Sequence, residues 1–256
     1  MKKILLLVLL FTFTLGLLPT QAATKAFQYP AKDGFNMTGN IYLPTVPVGK
    51  KVPLVILLHA IGSSKADWMN LPDLIAEKGY ACLALDLRGH GQSVLNGKLK
   101  QRSWLYFTDK DYAKYPQDVL LAVDMVKTEY AKKIDTNRII FVGNNIGANT
   151  AVLAASKLNR KGPVVKSIVM ISPRLNIKNL FMPIELVHFG AHPILIFSNK
   201  NIKGAYAETF EIKKYAQGEC VIKSLTAPGM AASLYKSAPS IKTDTLNWIV
   251  KIFGKP

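Results

Sequence analysis

Short apolar segments without polar alternation recur along this chain of 256 residues, separated by amphipathic segments and loops. Residues 52–58 and 80–86 are two such segments, and they are typical of strands buried on both faces of a parallel sheet. From Pro116 onward, apolar side chains return every three to four positions, as they do in a helix that packs on a sheet. The alternation predicts a mostly parallel sheet with helices on both faces. We expect strands at about 26–29, 35–43, 52–58, 80–86, 139–142, 164–171, 193–197 and 220–225, and helices at about 65–78, from 116 onward, and at 146–158, 205–216 and 241–253.

Three loops that directly follow predicted strands carry the most specific pattern. Residues 58–62 read LHAIG, residues 86–93 read DLRGHGQS, and residues 142–149 read VGNNIGAN. Together they resemble the α/β-hydrolase family, and within it the dienelactone-hydrolase-like and serine-peptidase-like esterases. The resemblance implies an α/β-hydrolase fold with a mostly parallel eight-stranded sheet. Since 49% of the residues are apolar and only 19% are charged, the chain can form a sizeable core, and we expect one domain over residues 23–256.

The third loop corresponds to the family's nucleophile elbow, Gly-X-Ser-X-Gly, in which a strained turn presents a serine. Here the flanking glycines are Gly143 and Gly147, but the central residue is Asn145. A carboxamide is a very poor nucleophile, because its nitrogen lone pair is delocalised and no useful anion forms at neutral pH. The sequence therefore predicts an intact turn without its reactive atom.

The acid and the base of the family follow the nucleophile in the order Asp or Glu, then His. By resemblance, Asn201 stands at the acid position and Met230 is the closest match to the histidine. No histidine follows His192. Loss of the nucleophile or the base of such a triad lowers turnover on the order of a millionfold. We therefore predict a degenerate triad of Asn145, Asn201 and Met230, and no hydrolysis by the family's mechanism.

Other side chains near the carboxyl ends of strands leave a relocated catalytic site open as an alternative. These candidates are His59, His90, Ser63, Ser64, Ser93 and Ser172. Structural roles compete for most of them: His59 precedes the oxyanion loop, His90 and Ser93 belong to a turn, and Ser63 and Ser64 precede a helix that one of them would cap. Deamidation of Asn145 to an aspartate nucleophile is a further alternative, but without a base its ester intermediate would persist.

The resemblance also implies that the oxyanion hole of the site is retained. The oxyanion hole would be formed by backbone N–H groups of Ile146 and of Ala60 or Ile61, which need no particular side chain. Free N–H donors at a helix N-terminus attract anions, and Asn144 and Asn145 add neutral donors. We expect His59, Ala60, Ile61, Asn144, Asn145 and Ile146 to line a cleft for a small anionic or acyl ligand. The alternative is a collapsed pocket filled by Met230, Ile146 and nearby aromatic residues.

The loop at about 94–115 is rich in aromatic and basic residues. In the family this stretch often overhangs the site, so we expect a short lid-like loop, although aromatic side chains would equally pack it onto the domain. Residues 177–188 are a second candidate cap element. Cys82 and Cys220 fall in different strands and are expected to be buried free thiols, and no His or Cys spacing indicates a metal or cofactor site.

The N-terminus resembles a secretory signal peptide. Two lysines are followed by an apolar run at 4–18, then Pro19 and small residues. The run is shorter than the roughly 20 residues of a membrane-spanning helix. We expect residues 1–22 to be a signal peptide cleaved near Ala22, which would place the protein in a bacterial-type periplasm or outside the cell. An uncleaved anchor stays open, and no transmembrane segment is expected after signal removal.

The chain is strongly basic, with 33 Lys and Arg against 16 Asp and Glu and a net charge of +17. The excess is spread along the sequence, so it indicates either a solvated basic surface or an anionic envelope surface as partner rather than nucleic acid. Three functions remain as alternatives: an exported, inactive α/β-hydrolase-like binding protein, a weak ester hydrolase or peptidase with non-standard residues, and a basic envelope-associated binding protein.

Overall fold

The computed structural model describes residues 23–254, so the predicted signal peptide lies outside the described residues. The strands of this part of the chain are β1 (Ala23–Pro30), β2 (Asn36–Leu43), β3 (Val52–Leu58), β4 (Ala81–Asp86), β5 (Ile134–Asn144), β6 (Val165–Ile171), β7 (Asn176–Ile177), β8 (Leu180–Phe181), β9 (Ile194–Asn199) and β10 (Cys220–Leu225). The α-helices are α1 (Leu71–Glu77), α2 (Asp109–Tyr112), α3 (Tyr115–Glu129), α4 (Ile146–Asn159), α5 (Pro183–Phe189), α6 (Lys203–Tyr215), α7 (Ala232–Ser237) and α8 (Ser240–Phe253).

Eight strands form one sheet in the order β1-β2-β4-β3-β5-β6-β9-β10. The first two are antiparallel to each other, and β2 is antiparallel to β4. All other pairs are parallel, including β3 with both β4 and β5. This is the α/β-hydrolase fold that the sequence predicts. Strand β5 lies near the middle of the sheet, so the loop at its carboxyl end is flanked by the ends of β3 and β6.

Alternate side chains of the central strands enter two separate cores. In β3, the side chains of Leu54, Ile56 and Leu58 pack with residues of α3, α4, α5 and α6. Those of Val55 and Leu57 pack on the other side with residues of α1, α7 and α8. Because successive residues of a strand face opposite ways, a strand covered on both faces must be apolar throughout. The uninterrupted apolar segments therefore follow from the two helical layers.

The predicted helix at 65–78 is interrupted. A short 3-10 turn at Lys65–Trp68 is followed by Met69 at φ 53°, and α1 starts only at Leu71. Pro72 lies in the first turn of α1. A proline has no N–H to donate, and its ring clashes with the carbonyl four residues earlier, so one continuous helix cannot pass through this point.

Several short elements were not assigned from the sequence. The small β7–β8 hairpin and α5 occupy the segment predicted as a second cap element, and α2 and α7 are short helices within loops. Within residues 23–254, no helix combines the length and hydrophobicity required to cross a membrane.

Candidate functional site

The turn between β5 and α4 has the strained backbone expected of a nucleophile elbow. Asn145 adopts φ 53° and ψ −115°, a region that non-glycine residues rarely occupy. Its backbone N–H donates to the carbonyl of Ile171 at 2.8 Å, which holds the turn against the end of β6. Strain of this kind costs about 1–3 kcal/mol and persists where the surrounding structure enforces it.

The two flanking glycines are required by close backbone contacts. A Cβ on Gly147 would lie 2.1 Å from the carbonyl oxygen of Leu58, and one on Gly143 would lie 2.4 Å from the carbonyl oxygen of Gly147. Leu58 ends β3 and pairs with Gly143 of β5. The glycines therefore let α4 start directly against the two central strands, and this architecture is independent of the residue at position 145.

The elbow carries buried neutral side chains and one backbone N–H without an acceptor. Asn145 is 4% exposed, and its side chain makes no capping hydrogen bond to α4. Among residues 23–254, the backbone N–H of Ile146 has no hydrogen-bond acceptor. The Oδ1 atom of Asn144 is buried and has no partner within the same residues. This end of α4 can thus donate to a ligand oxygen, but none of its side chains can attack a carbonyl carbon.

His59 and His90 are both occupied by backbone hydrogen bonds. Nε2 of His59 accepts the N–H of Leu87 at 2.9 Å, while its Nδ1 lies 2.7 Å from the carbonyl of Ala60. Nε2 of His90 accepts the N–H of Gly62 at 3.0 Å. Both rings must be neutral to accept these bonds. Burial is the main cause that lowers both pKa values, and in His59 the neighbouring His90 contributes to a pKa of about 4.

Asp86 and Arg88 anchor the second loop rather than the elbow. Asp86 accepts the backbone N–H groups of Lys65 at 2.8 Å and Gln92 at 3.0 Å. Arg88 makes two hydrogen bonds to Asp118, at 2.8 and 2.7 Å. Burial opposes the charge on Asp86, but these hydrogen bonds and the Lys65 ammonium lower its pKa overall. The motif at 86–93 is therefore a hydrogen-bonded structural turn that fixes the position of His90.

The predicted lid-like loop packs against the turn at residues 86–93. The ring of Trp104 stacks on His90 with centroids 5.2 Å apart, and a Cβ on Gly62 would lie 3.2 Å from the Trp104 ring. Tyr112 and Tyr115 are buried, whereas Tyr106 is 81% exposed. The loop thus covers the segment after β3 that carries Ala60 and Ile61, and most of its aromatic residues serve packing.

At the position predicted for the acid, the structure distinguishes two asparagines. Asn201 is exposed in a turn. Asn199, the last residue of β9, is buried, and its amide nitrogen donates to the carbonyls of Ala227 at 2.8 Å and Gly229 at 2.6 Å. The residue that reaches the loop after β10 is therefore Asn199 and not Asn201, a difference that depends on where β9 ends.

The loop that carries Met230 is held in place without a proton-transferring group. Met230 is 39% exposed and does not fill a buried space. The next residue, Ala231, has φ 54°, and its N–H donates to the Oγ of Ser172 at 3.2 Å. Ser172 thus serves as an anchor of this loop. Ser64 accepts the N–H of Ala66 as a helix cap, as the sequence suggests for this pair of serines.

The two large cavities described for this structure lie at the opposite edge of the sheet, by the amino ends of the parallel strands. Their volumes are about 1040 Å³ and 780 Å³. Neither is lined by residues of the elbow or by residues 59–62. Within residues 23–254 no group of three or more His, Cys, Asp or Glu is placed to hold a metal ion. Cys82 is buried in β4, whereas Cys220 in β10 is only partly buried, and both are free thiols.

Comparison with known proteins places the fold in a large group of hydrolases. A family model described as serine aminopeptidase, S33, matches residues 49–253. Among solved structures, a dienelactone hydrolase from Anabaena variabilis is similar over 91% of this chain and 97% of that one, with 16% identity and a TM-score of 0.66.

Two other solved structures show the same likeness. The likeness to a carboxyl esterase from Bacillus coagulans extends over 90% of this chain and 99% of the esterase chain, with 12% identity and a TM-score of 0.69. The likeness to a lipase in its open form extends over 91% of this chain and 100% of the lipase chain, with 9% identity and a TM-score of 0.71. At such identities the likeness concerns the fold. A sequence comparison with curated proteins gives no match.

Proposed function

Because the chain belongs to the serine aminopeptidase S33 family of α/β hydrolases, we propose that it has kept the fold of a hydrolase, has lost the hydrolytic reaction and acts by binding. The observation that carries this proposal is Asn145 in the strained conformation of the nucleophile. The backbone that would present a serine hydroxyl is in place, and the residue it presents cannot form an acyl intermediate.

No histidine of the chain is placed to act as the base. The chain has four. Both ring nitrogens of His59 and Nε2 of His90 are engaged as described above, and Nδ1 of His90 lies 3.0 Å from the carbonyl of Arg88. His188 contacts Arg160, which lies at the far end of α4. Since α4 has 14 residues, this is about 20 Å from the elbow. His192 precedes β9, at the edge of the sheet opposite the elbow.

The carboxylates near the site are likewise committed to other contacts. Asp86 is held by Lys65 and the loop at 86–93, and Glu208 pairs with Arg174 and accepts the N–H of Leu175 at 3.0 Å.

A relocated triad would need an acid, a base and a nucleophile in mutual contact. Ser63 and Asp67 are in contact, but Asp67 also pairs with Lys236, and among residues 23–254 neither side chain is hydrogen-bonded to a histidine, so acid, base and nucleophile do not meet. Non-standard hydrolysis is therefore the weaker alternative.

The ligand that fits the remnant site is a small carboxylate or acyl group. Its oxygen would accept the free N–H of Ile146, where the α4 dipole favours negative charge. Titration with acetate or hexanoate, followed by NMR, should shift the amide resonance of Ile146 with saturation. A resonance that stays unmoved up to 50-fold excess over protein, on the order of millimolar ligand, would leave the collapsed pocket as the correct account.

We also propose that the protein is exported, with residues 1–22 as the signal peptide. This rests on the apolar run at 4–18 preceded by two lysines. Mass spectrometry of the protein from an exporting host should give an N-terminus near Ala23. An intact Met1 on a membrane-bound protein would instead establish an anchor.

The loss of hydrolysis is tested with acyl esters of short and long chain. The wild-type protein should show no turnover beyond about a thousandfold over the reaction in water, which is the level that binding and an oxyanion hole alone provide. Turnover at the rates of ordinary enzymes, about 1–1000 per second, would overturn the proposal.

A further inference from the structure

A second site lies at the amino edge of the sheet, far from the elbow. The loop at 44–51 connects β2 to β3, and residues 132–133 precede β5. The N–H of Val52 donates to the carbonyl of Lys133 at 3.0 Å, which joins the two segments. Between them and the start of β1 lies the cavity of about 780 Å³. Two stretches that are about 80 residues apart in sequence thus form one concave surface.

The rim of this cavity carries one sign of charge. Its lining contains five lysines and no carboxylate: Lys25, Lys50, Lys51, Lys132 and Lys133. All five are exposed. None of them takes part in the ion pairs found among residues 23–254. Other lysines among residues 23–254, such as Lys200 and Lys203, are also absent from these ion pairs, but the five lysines line one cavity and therefore form an uncompensated positive cluster.

The floor of the cavity is apolar. Leu43 and Val52 are buried there, and Val46 packs against the larger hydrophobic core. The tip of the loop is a tight turn in which the backbone N–H of Lys50 donates to the carbonyl of Pro47 at 3.2 Å and Gly49 has φ 84°. This turn leaves the Val48 side chain fully exposed. The surface therefore combines an apolar floor and tip with a basic rim.

We propose that this cavity binds an anionic amphiphile, a molecule with one acyl or alkyl chain and a phosphate or carboxylate head group. The chain would lie on the floor formed by Leu43, Val46 and Val52, and the head group would contact the lysine rim. Cavities of about 300–1000 Å³ are the usual size for ligands of this kind. Each buried CH₂ group contributes about 0.8 kcal/mol, so the chain supplies affinity and the lysines select the charge.

Other occupants fit the same surface less well. The charged side chains of residues 1–22 are those of Lys2 and Lys3, which would face the lysine rim with like charge. Proteins that bind single-stranded nucleic acid typically stack its bases on aromatic side chains, and none lines the cavity. The neighbouring cavity of about 1040 Å³ shares Lys50 and Lys51 with this one but is also lined by Glu77, so it lacks the single sign of charge.

Calorimetric titration with monomeric dodecyl phosphate tests the proposal, on purified protein whose N-terminus has been established by mass spectrometry. We expect saturable binding, and at least tenfold weaker binding of the neutral dodecyl maltoside and of inorganic phosphate. The double variant Lys50→Glu/Lys132→Glu should bind dodecyl phosphate at least tenfold more weakly. Circular dichroism and the urea midpoint establish that the variant is folded, since both side chains are exposed.

The matched control is Lys98→Glu/Lys100→Glu. It makes the same change in net charge in an exposed loop near Gly34, at the other end of the β1–β2 hairpin. Strands of eight residues separate the two ends by about 25 Å. The control should bind within twofold of wild type.

Three results would overturn the proposal. Equal loss of binding in both double variants would show that only net charge matters. Equal binding of dodecyl maltoside would show that the lysines select nothing. Binding to phosphatidylglycerol vesicles without binding to monomeric dodecyl phosphate would assign the surface to a membrane and not to a single ligand in the cavity. Because the site shares no residue with the elbow, each result is independent of the hydrolysis assay.

Discussion

The two edges of the sheet have opposite character. At the carboxyl edge, polar groups such as His59, His90 and Asp86 are bonded to the backbone of neighbouring loops, and Trp104 covers the loop after β3. At the amino edge, lysines without acidic partners surround an open apolar cavity. The family's chemistry belongs to the first edge, where the architecture persists without its reactive groups. The comparison teaches that the loops of the carboxyl edge are fixed by packing and backbone hydrogen bonds, whereas the lysines around the amino-edge cavity are exposed and take part in no ion pair among residues 23–254.

The largest expected effect concerns the backbone contacts of the elbow. Gly147→Ala should destabilise the fold by more than about 3 kcal/mol, because its Cβ would lie 2.1 Å from the carbonyl of Leu58 and the backbone must shift. Urea denaturation measures the change.

The control for this prediction is Gly204→Ala in α6. A Cβ there meets nothing within 4 Å, and alanine favours the helix by up to about 1 kcal/mol over glycine. If Gly147→Ala were as stable as wild type, the elbow would not be a packing requirement, and the contrast between the two edges would lose its structural basis.

The second effect is a loss of stability in mild acid. The pKa of His59 is lowered from its usual 6.5 to about 4 in the folded state, chiefly by burial. Between these values the unfolded chain binds the extra proton, so stability is complete above about pH 6.5 and falls as the pH decreases toward 4. From pH 7.5 to 4.5 we expect a loss of about 2–3 kcal/mol from this group, and His90, whose pKa is also lowered, adds to it.

Urea denaturation at the two pH values measures this loss. His59→Gln should reduce the dependence, whatever its effect on stability at neutral pH. A flat stability profile in the wild-type protein would mean that the histidines of the carboxyl edge are not held neutral, and that edge would then be less closed than we describe.

Much of the fold could be predicted from sequence, since strands buried on both faces leave a clear pattern. The segment 52–58 and the elbow glycines are examples, because two helical layers and a 2.1 Å contact leave few residue choices. The break at Met69 was missed, although Pro72 was a signal for it. The β7–β8 hairpin has strands of two residues, held to α4 by the amide of Asn149 donating to Arg174 and Leu180, and such long-range contacts leave no local pattern.

The site was predictable in its chemistry and less so in its detail. The absence of a serine at position 145 and of any histidine after His192 is read directly from the sequence. The sequence does not show that Asn199, and not Asn201, reaches the loop after β10. That choice depends on where β9 ends, and the sequence leaves this end uncertain by one or two residues. The lysine cavity was not predicted at all, because Lys25, Lys50 and Lys132 come together only through tertiary structure.

The central claim is that the elbow is intact as a structure and inert as a catalyst, and the most direct test compares wild-type protein with Asn145→Ser in the acyl-ester assay. Serine restores the hydroxyl on the same turn, but it stays protonated because no histidine is placed to accept its proton. We therefore predict that both proteins turn over at the same rate, no more than about a thousandfold above the reaction without protein, while their urea midpoints show that both are folded. Turnover by the wild type at ordinary enzyme rates, or activity gained by the serine variant on the order of a thousandfold or more, would contradict the account.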